Sequence, residues 1–122
     1  HMVERPIPLL AGNKKAYIVK AKTELNLADV IEYIKDYRGG QLPNEEGLEL
    51  LVGKIIPGIE PGSKIYGFDR PENYGLDSER FYLVPFLRNG MIDFESVGLA
   101  EYISMGEGDY FLFFPADTRA KK

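Results

Sequence analysis

GDYFLFFP, at residues 108–115, carries more information about the fold than any other segment of this chain. A Gly-Asp turn leads into five consecutive apolar residues, which end at a proline. Apolar residues without polar alternation predict a β-strand covered on both faces, because an exposed strand of this composition would aggregate. The segment therefore indicates a protein with a β-rich core.

Size and charge predict one globular domain that does not bind nucleic acid. The chain has 122 residues and a formal net charge of −4. We interpret His1-Met2 as a cloning remnant and residues 3–122 as the single domain. A mildly acidic chain lacks the clustered Lys and Arg side chains that bind a phosphate backbone.

The missing residue types restrict the chemistry. The sequence has no cysteine, and its one histidine, His1, belongs to the remnant. Thiolate nucleophiles, Cys-type zinc sites and a histidine general base are thereby excluded. No apolar run approaches the roughly 20 residues that span a bilayer, and no signal peptide is visible. We therefore expect a cytoplasmic protein without membrane contact.

One helix is predicted near the N-terminus, at about residues 27–38. Its apolar face would consist of Leu27, Val30, Ile31 and Ile34. Asn26 is placed to cap the first turn, where Asp29 suits the positive end of the helix dipole. Gly39-Gly40 would end the helix.

The region of about residues 48–120 is predicted to be β-rich, since short apolar segments alternate with Gly, Pro and Asn turns. The predicted strands are 16–19, 50–56, 64–68, 80–87, 91–94, 102–105 and 110–114. Asn89-Gly90 indicates a hairpin, and Pro85 predicts an edge position or a bulge. The fold class is mainly β with one N-terminal helix, built as a small β-barrel. An α+β open barrel or a sandwich is the alternative.

Three segments resemble the cupin superfamily. Residues 60–63, Glu-Pro-Gly-Ser, resemble the entry to the first cupin motif, and residues 78–84 resemble the strand that carries its glutamate. Residues 105–115 resemble the second motif. The ending Phe-Phe-Pro-Ala-Asp, at 113–117, looks most like the YhcH/YjgK/YiaL family, which is associated with sugar metabolism. The resemblance implies a cupin-like barrel with a sugar-related ligand.

The metal ligands of the cupin motifs are missing from these segments. The histidines of the first motif would fall near Phe68 and Arg70, and that of the second motif near Arg119. Only Glu79 could correspond to a ligand of the family. One carboxylate does not hold a transition metal, so we expect no metal and no other cofactor.

The candidates for ligand binding are Lys54, Tyr66, Phe68, Asp69, Arg70, Glu72, Glu79, Arg80, Tyr82 and Arg119. The polar cluster around Arg70 would lie at the barrel mouth, where a guanidinium could hold a carboxylate or phosphate. The aromatic and basic residues would line the interior from alternating positions. Two alternatives stay open: the polar cluster is a solvated loop, and the aromatic residues only fill the core.

These features favour a metal-independent, cupin-like domain that binds a small sugar-related or anionic molecule without robust catalysis. One alternative is a sugar isomerase-like or epimerase-like enzyme that uses carboxylates with Tyr or Lys. Another is a protein-interaction or regulatory domain. A cavity would favour ligand binding, and a large exposed apolar patch without a cavity would favour interaction. A homodimer paired through strands is a further expectation.

Overall fold

Six strands and two short helices form in the computed structural model, which describes residues 2–34, 45–68, 81–98 and 106–115. In chain order they are β1 (Ile7–Ala11), β2 (Lys14–Lys20), α1 (Leu27–Tyr33), α2 (Glu45–Glu49), β3 (Ile65–Gly67), β4 (Phe81–Arg88), β5 (Met91–Gly98) and β6 (Tyr110–Phe113). The protein is mainly β, as predicted. It has a second helix, α2, where the sequence pattern indicated only one helix.

The strands form one mixed sheet in the order β1-β2-β6-β3-β4-β5. Neighbouring strands are antiparallel except β3 and β6, which run parallel. The strand predicted from GDYFLFFP is β6, which lies between β2 and β3 in the middle of the sheet. All of its residues are buried, as the lack of polar alternation requires.

Each face of the sheet carries its own hydrophobic core. α1 and the residue after it cover one face through Val30 and Ile34, and α2 covers the other through Leu48. Consecutive residues of β6 alternate between the two cores, with Phe111 on the α1 side and Leu112 on the α2 side. Complete burial of one such side chain stabilises the fold by about 1.5–3 kcal/mol.

A reciprocal pair of hydrogen bonds begins α1 at the predicted residue. Asn26 Oδ1 accepts a hydrogen bond from the Asp29 N–H at 2.8 Å, and Asp29 Oδ2 accepts one from the Asn26 N–H at 3.3 Å. This is a capping box, which satisfies two backbone donors at the start of a helix. The predicted continuation over 35–38 and the Gly39-Gly40 stop lie outside the described residues.

The predicted strand at 50–56 is wrong. α2 ends at Glu49, and turns follow over residues 50–53. The buried residues here are Leu48 and Leu51, whose spacing of three belongs to a helical turn rather than a strand. Gly53 has a φ of 75°, in the left-handed region that strands exclude. The predicted strand at 102–105 lies outside the described residues.

The prediction of an edge or bulge from Pro85 is also wrong. β4 lies between β3 and β5, and its register with β5 has no bulge. The two-residue turn makes Arg88 and Met91 a hydrogen-bonded pair, so Pro85 and Phe94 form a non-hydrogen-bonded pair. The nitrogen of Pro85 therefore points towards β3. The pairing of β3 with β4 ends at Phe86, one residue before the missing N–H is needed.

The predicted hairpin at Asn89-Gly90 is confirmed. The φ angles of Asn89 and Gly90 are 55° and 81°. Positive φ at both central residues defines a type I′ turn, which Asn and Gly tolerate better than other residues. A second hairpin joins β1 to β2 through Gly12, whose φ is 64°. The predicted strand at 16–19 is the centre of β2.

The segment 50–53 touches both hairpin turns, although the hairpins lie at opposite edges of the sheet. The Leu50 side chain lies 3.4 Å from where a Cβ on Gly12 would be, and the Gly53 N–H donates to the Gly90 carbonyl at 3.3 Å. The segment 50–53 therefore links the two hairpin corners on the α2 side of the sheet.

The Gly-Asp turn before β6 has a structural role. Asp109 Oδ2 accepts a hydrogen bond from the Gly106 N–H at 3.2 Å, and Asp109 Oδ1 accepts one from the Lys64 N–H at 3.3 Å. Gly108 has a φ of 94°, which favours glycine. The turn thus fixes the start of β6 beside β3. Among the described residues the sheet does not close into a barrel, since β1 and β5 are its two edges.

Candidate ligand-binding cleft

A cleft of about 640 Å³ lies between the N-terminal segment and α1, and we call it the α1 cleft. Val3 forms a β-bridge with Ala21, and the Glu4 N–H donates to the Lys20 carbonyl at 2.9 Å. The N-terminal segment is thereby held beside the end of β2 and forms one wall, while α1 forms the other. Small-molecule pockets typically measure about 300–1,000 Å³, so the cleft has room for a single sugar ring.

The floor of the α1 cleft is apolar and aromatic. Leu25, Val30 and Phe111 line it with buried side chains. The half-buried Tyr33 stands edge-on to Phe111, with ring centroids 5.7 Å apart and an interplanar angle of 79°. Phe111 belongs to β6, so the strand that decided the core also supplies the floor. Such a surface suits the apolar face of a sugar or another small ring.

The rim of the cleft is charged. Glu4, Arg5 and Glu32 are exposed, and Asp29 is half-buried. The hydrogen bond from the Asn26 N–H holds one oxygen of Asp29. The other carboxylate oxygens of the rim can accept hydrogen bonds from a ligand, and the Arg5 guanidinium can donate them. Three carboxylates face one guanidinium, so the rim carries an excess of negative charge.

A second polar cluster lies on the α1 side of the sheet and joins β3 to β5 across β4. The Lys64 ammonium contacts Glu95 Oε1 at 3.1 Å, and the Tyr66 hydroxyl donates to the same oxygen at 2.8 Å. The Lys64 side chain is 22% exposed and that of Glu95 16%. Lys64 also lies over the Phe86 ring, 5.0 Å from its centroid. This cluster contains the residue types that the enzyme alternative requires.

The protonation of Tyr66 argues for a structural role of this cluster. Burial raises the pKa of Tyr66 far above its ordinary value, and the hydrogen bond to the Glu95 carboxylate raises it further. The phenol therefore stays protonated and donates, so it is not a base at neutral pH. Because Glu95 Oε1 accepts from both Lys64 and Tyr66, the arrangement ties β3 to β5.

Three of the predicted site residues lie away from the α1 cleft. Tyr66 and Phe68 share one face of the sheet, as predicted, and their rings stack with centroids 5.7 Å apart. Both are fully buried in the core under α1, so they fill space there. Lys54 is exposed in the segment that follows α2, which covers the opposite face.

The other predicted site residues cannot be placed. Asp69, Arg70, Glu72, Glu79, Arg80 and Arg119 lie outside the described residues, as does the side chain of Tyr82. Their meeting in one site stays a prediction. The sequence reasoning missed Arg5, Glu32 and Tyr33, because the N-terminal segment has no periodicity and the two helical residues flank the apolar stripe. The one local feature of the sequence that indicates the cleft is Tyr33, an aromatic residue beside the apolar stripe of α1.

Two kinds of feature are absent from the described ranges. No three His, Cys, Asp or Glu side chains there are placed to share a metal ion. No helix in those ranges is long and apolar enough to cross a membrane. Comparison of the chain with protein-family models, with curated protein sequences and with solved structures gives no match.

Proposed function

We propose that this protein is a metal-independent domain that binds a small, sugar-like ring in the α1 cleft without catalysing its conversion. The observation that carries the proposal is the cleft itself. Its volume of about 640 Å³ combines an aromatic floor with a hydrogen-bonding rim. The half-buried Tyr33 ring would contact the apolar face of the ligand, with Phe111 packed beneath it, and the carboxylates of the rim would accept hydrogen bonds from its hydroxyl groups.

The charge of the rim separates neutral or amine-bearing ligands from anionic ones. Glu4, Asp29 and Glu32 oppose Arg5 alone. Near a protein surface, two unit charges 4 Å apart interact with about 4 kcal/mol. An anion placed among three carboxylates is therefore disfavoured, and a neutral or amine-bearing ring is preferred. An anionic ligand would instead depend on Arg70, which lies outside the described residues.

Three probes with one ring and different charges test this proposal: glucose, glucosamine and glucuronate. Binding is measured by saturation-transfer NMR on the wild type and on Glu32→Gln and Arg5→Ala, which alter exposed rim residues. Lys54→Ala, at an exposed position after α2, is the matched control. We expect saturation transfer to glucose or glucosamine, weakened in Glu32→Gln and unchanged in Lys54→Ala, whereas Arg5→Ala, which increases the excess of negative charge, should strengthen transfer to glucosamine. Absence of transfer to all three probes, or equal transfer in every variant, would refute the α1 cleft as the site.

The same samples test the two alternative functions. An isomerase or epimerase would convert a probe, and new sugar resonances would then grow with time. The cluster of Lys64, Tyr66 and Glu95 is the described arrangement closest to such chemistry, so Glu95→Gln is the variant that should abolish any conversion. A protein-interaction domain would bind none of the probes.

A cupin-like barrel is the finer fold proposal. Two observations support it: the segment 50–53 that links the Gly12 and Gly90 corners, and the Gly-Asp turn that leads into a buried central strand. A barrel requires further strands that join β1 to β5. Backbone chemical shifts of residues 69–80, 99–105 and 116–122 are the direct measurement, and a lack of strand in all three ranges would exclude a closed barrel.

A further inference from the structure

Among the described strands β5 is an edge strand, and the hairpin register determines which of its amides point outward. Arg88 and Met91 form the hydrogen-bonded pair next to the two-residue turn, so hydrogen-bonded pairs recur at every second residue. Phe94 lies opposite Pro85, in a non-hydrogen-bonded pair. The Phe94 N–H therefore points away from β4, towards the outer side of the strand.

Asp93 accepts a hydrogen bond from this outward N–H. Its Oδ1 accepts a hydrogen bond from the Phe94 N–H at 2.8 Å, at an exposed position. An edge amide that is satisfied by its own chain is not available to the ladder of an added strand. Asp93 thus acts at one of the positions where a second strand would have to pair.

The outer edge of β5 also has features that favour pairing with another strand. β5 has eight residues, and none of the described strands pairs with its outer side. Phe94 is 44% exposed, and its diagonal neighbour Leu83 on β4 is 66% exposed on the same face. A long edge strand with an exposed apolar surface is a template for pairing with another chain.

Self-pairing of β5 would also place like charges opposite each other. Consider two β5 strands paired antiparallel about a two-fold axis. If the axis passes through Phe94, Asp93 of one strand lies opposite Glu95 of the other. If the axis passes through Asp93 or through Glu95, that residue lies opposite its own copy. Like charges directly opposite across a strand pair are destabilising. Because Lys64 pairs with Glu95, the register centred on Asp93, which places two Asp93 carboxylates opposite each other, carries the largest repulsion.

We infer that Asp93 guards the edge of β5 against strand pairing with a second copy of this chain. It does so by binding the outward Phe94 N–H and by opposing a second acidic strand. This inference is independent of ligand binding in the α1 cleft, but it applies to the open sheet, because a barrel closed through the outer side of β5 would already pair these amides. It also makes β5 the wrong strand for a homodimer, which leaves any dimer to another surface.

The test compares Asp93→Ala with the wild type and with Glu107→Ala, which removes an equal charge from an exposed turn. Sedimentation velocity over a wide concentration range measures self-association, and amide exchange by NMR at low concentration reports on the Phe94 N–H. We expect Asp93→Ala alone to self-associate. Its Phe94 amide should exchange roughly fivefold to tenfold faster, because one hydrogen bond is lost.

Two results would overturn the inference. One is an Asp93→Ala variant that stays monomeric at every concentration, whatever its exchange rates. The other is equal self-association of Glu107→Ala, which would show that net charge, and not the position of Asp93, keeps the chains apart. Circular dichroism confirms that both variants are folded before the comparison is made.

Discussion

Replacing Tyr66 with Phe removes one hydroxyl from the core and leaves the ring in place. That hydroxyl donates to Glu95 Oε1 at 2.8 Å from a fully buried side chain. Hydrogen bonds to charged groups contribute about 1.5–3 kcal/mol. Lys64 still pairs with the carboxylate in the variant, so we expect a loss near the lower end, about 1.5 kcal/mol in the free energy of unfolding at pH 7.

Alkaline pH should reduce this difference, because burial raises the pKa of Tyr66 in the folded protein. Above the unfolded pKa of about 10, the unfolded chain releases a proton that the folded chain keeps. The stability from Tyr66 is therefore complete below pH 10 and falls as the pH rises further. One such group costs about 1.4 kcal/mol per pH unit, so the wild type should lose about 1.4 kcal/mol more than Tyr66→Phe between pH 9 and pH 11.

Urea unfolding followed by far-UV circular dichroism measures both effects. The chain has no tryptophan, and tyrosine fluorescence itself changes with ionisation, so a backbone signal is needed. Glu95→Gln is the matched control, since it keeps the buried phenol and removes the carboxylate. Because burial is the main cause of the raised pKa, this control should keep most of the alkaline loss. Parallel losses in the wild type and Tyr66→Phe would refute the reasoning.

Two further predictions concern the helix start and the hairpin turn. Asn26→Ala removes the capping acceptor of α1 and should lower the free energy of unfolding by about 1 kcal/mol in urea titrations; an unchanged midpoint would contradict a stabilising cap. Gly90→Ala places a side chain at a φ of 81° and 3.7 Å from the Gly53 nitrogen. It should cost about 1–2 kcal/mol, whereas Gly106→Ala, in open space, should cost less. Equal stability of the two alanine variants would argue against the type I′ turn.

The sequence predicted those parts of the fold that depend on neighbouring residues. The apolar run of β6, the turn at Asn89-Gly90 and the start of α1 each follow from local spacing and backbone preference. The error at 50–56 arose because the sequence does not distinguish buried apolar residues from exposed ones. Ile55 in that range is 93% exposed. For Pro85, the missing N–H excludes only one of the two sides of a strand, and β3 ends before reaching it.

The candidate site was less predictable, because its walls come from distant parts of the chain. The α1 cleft needs the N-terminal segment beside β2 and α1 over Phe111, and neither placement is encoded in local periodicity. The prediction that Tyr66 and Phe68 share one face is confirmed. Whether that face lines a cavity or fills a core depends on how α1 packs, since a helix placed over the sheet converts an interior surface into a core.

Because the segment 50–53 contacts both hairpins, the two edges of the sheet are connected to each other, although no ladder of hydrogen bonds closes the sheet. Strand pairing connects the Gly12 hairpin to the Gly90 hairpin across the sheet, and the contacts of Leu50 and Gly53 connect the two hairpins a second time. Neither hairpin can move away from the sheet without breaking its contact with the segment 50–53. The two edges, which in an open sheet would fray separately, are therefore coupled to each other and should detach together.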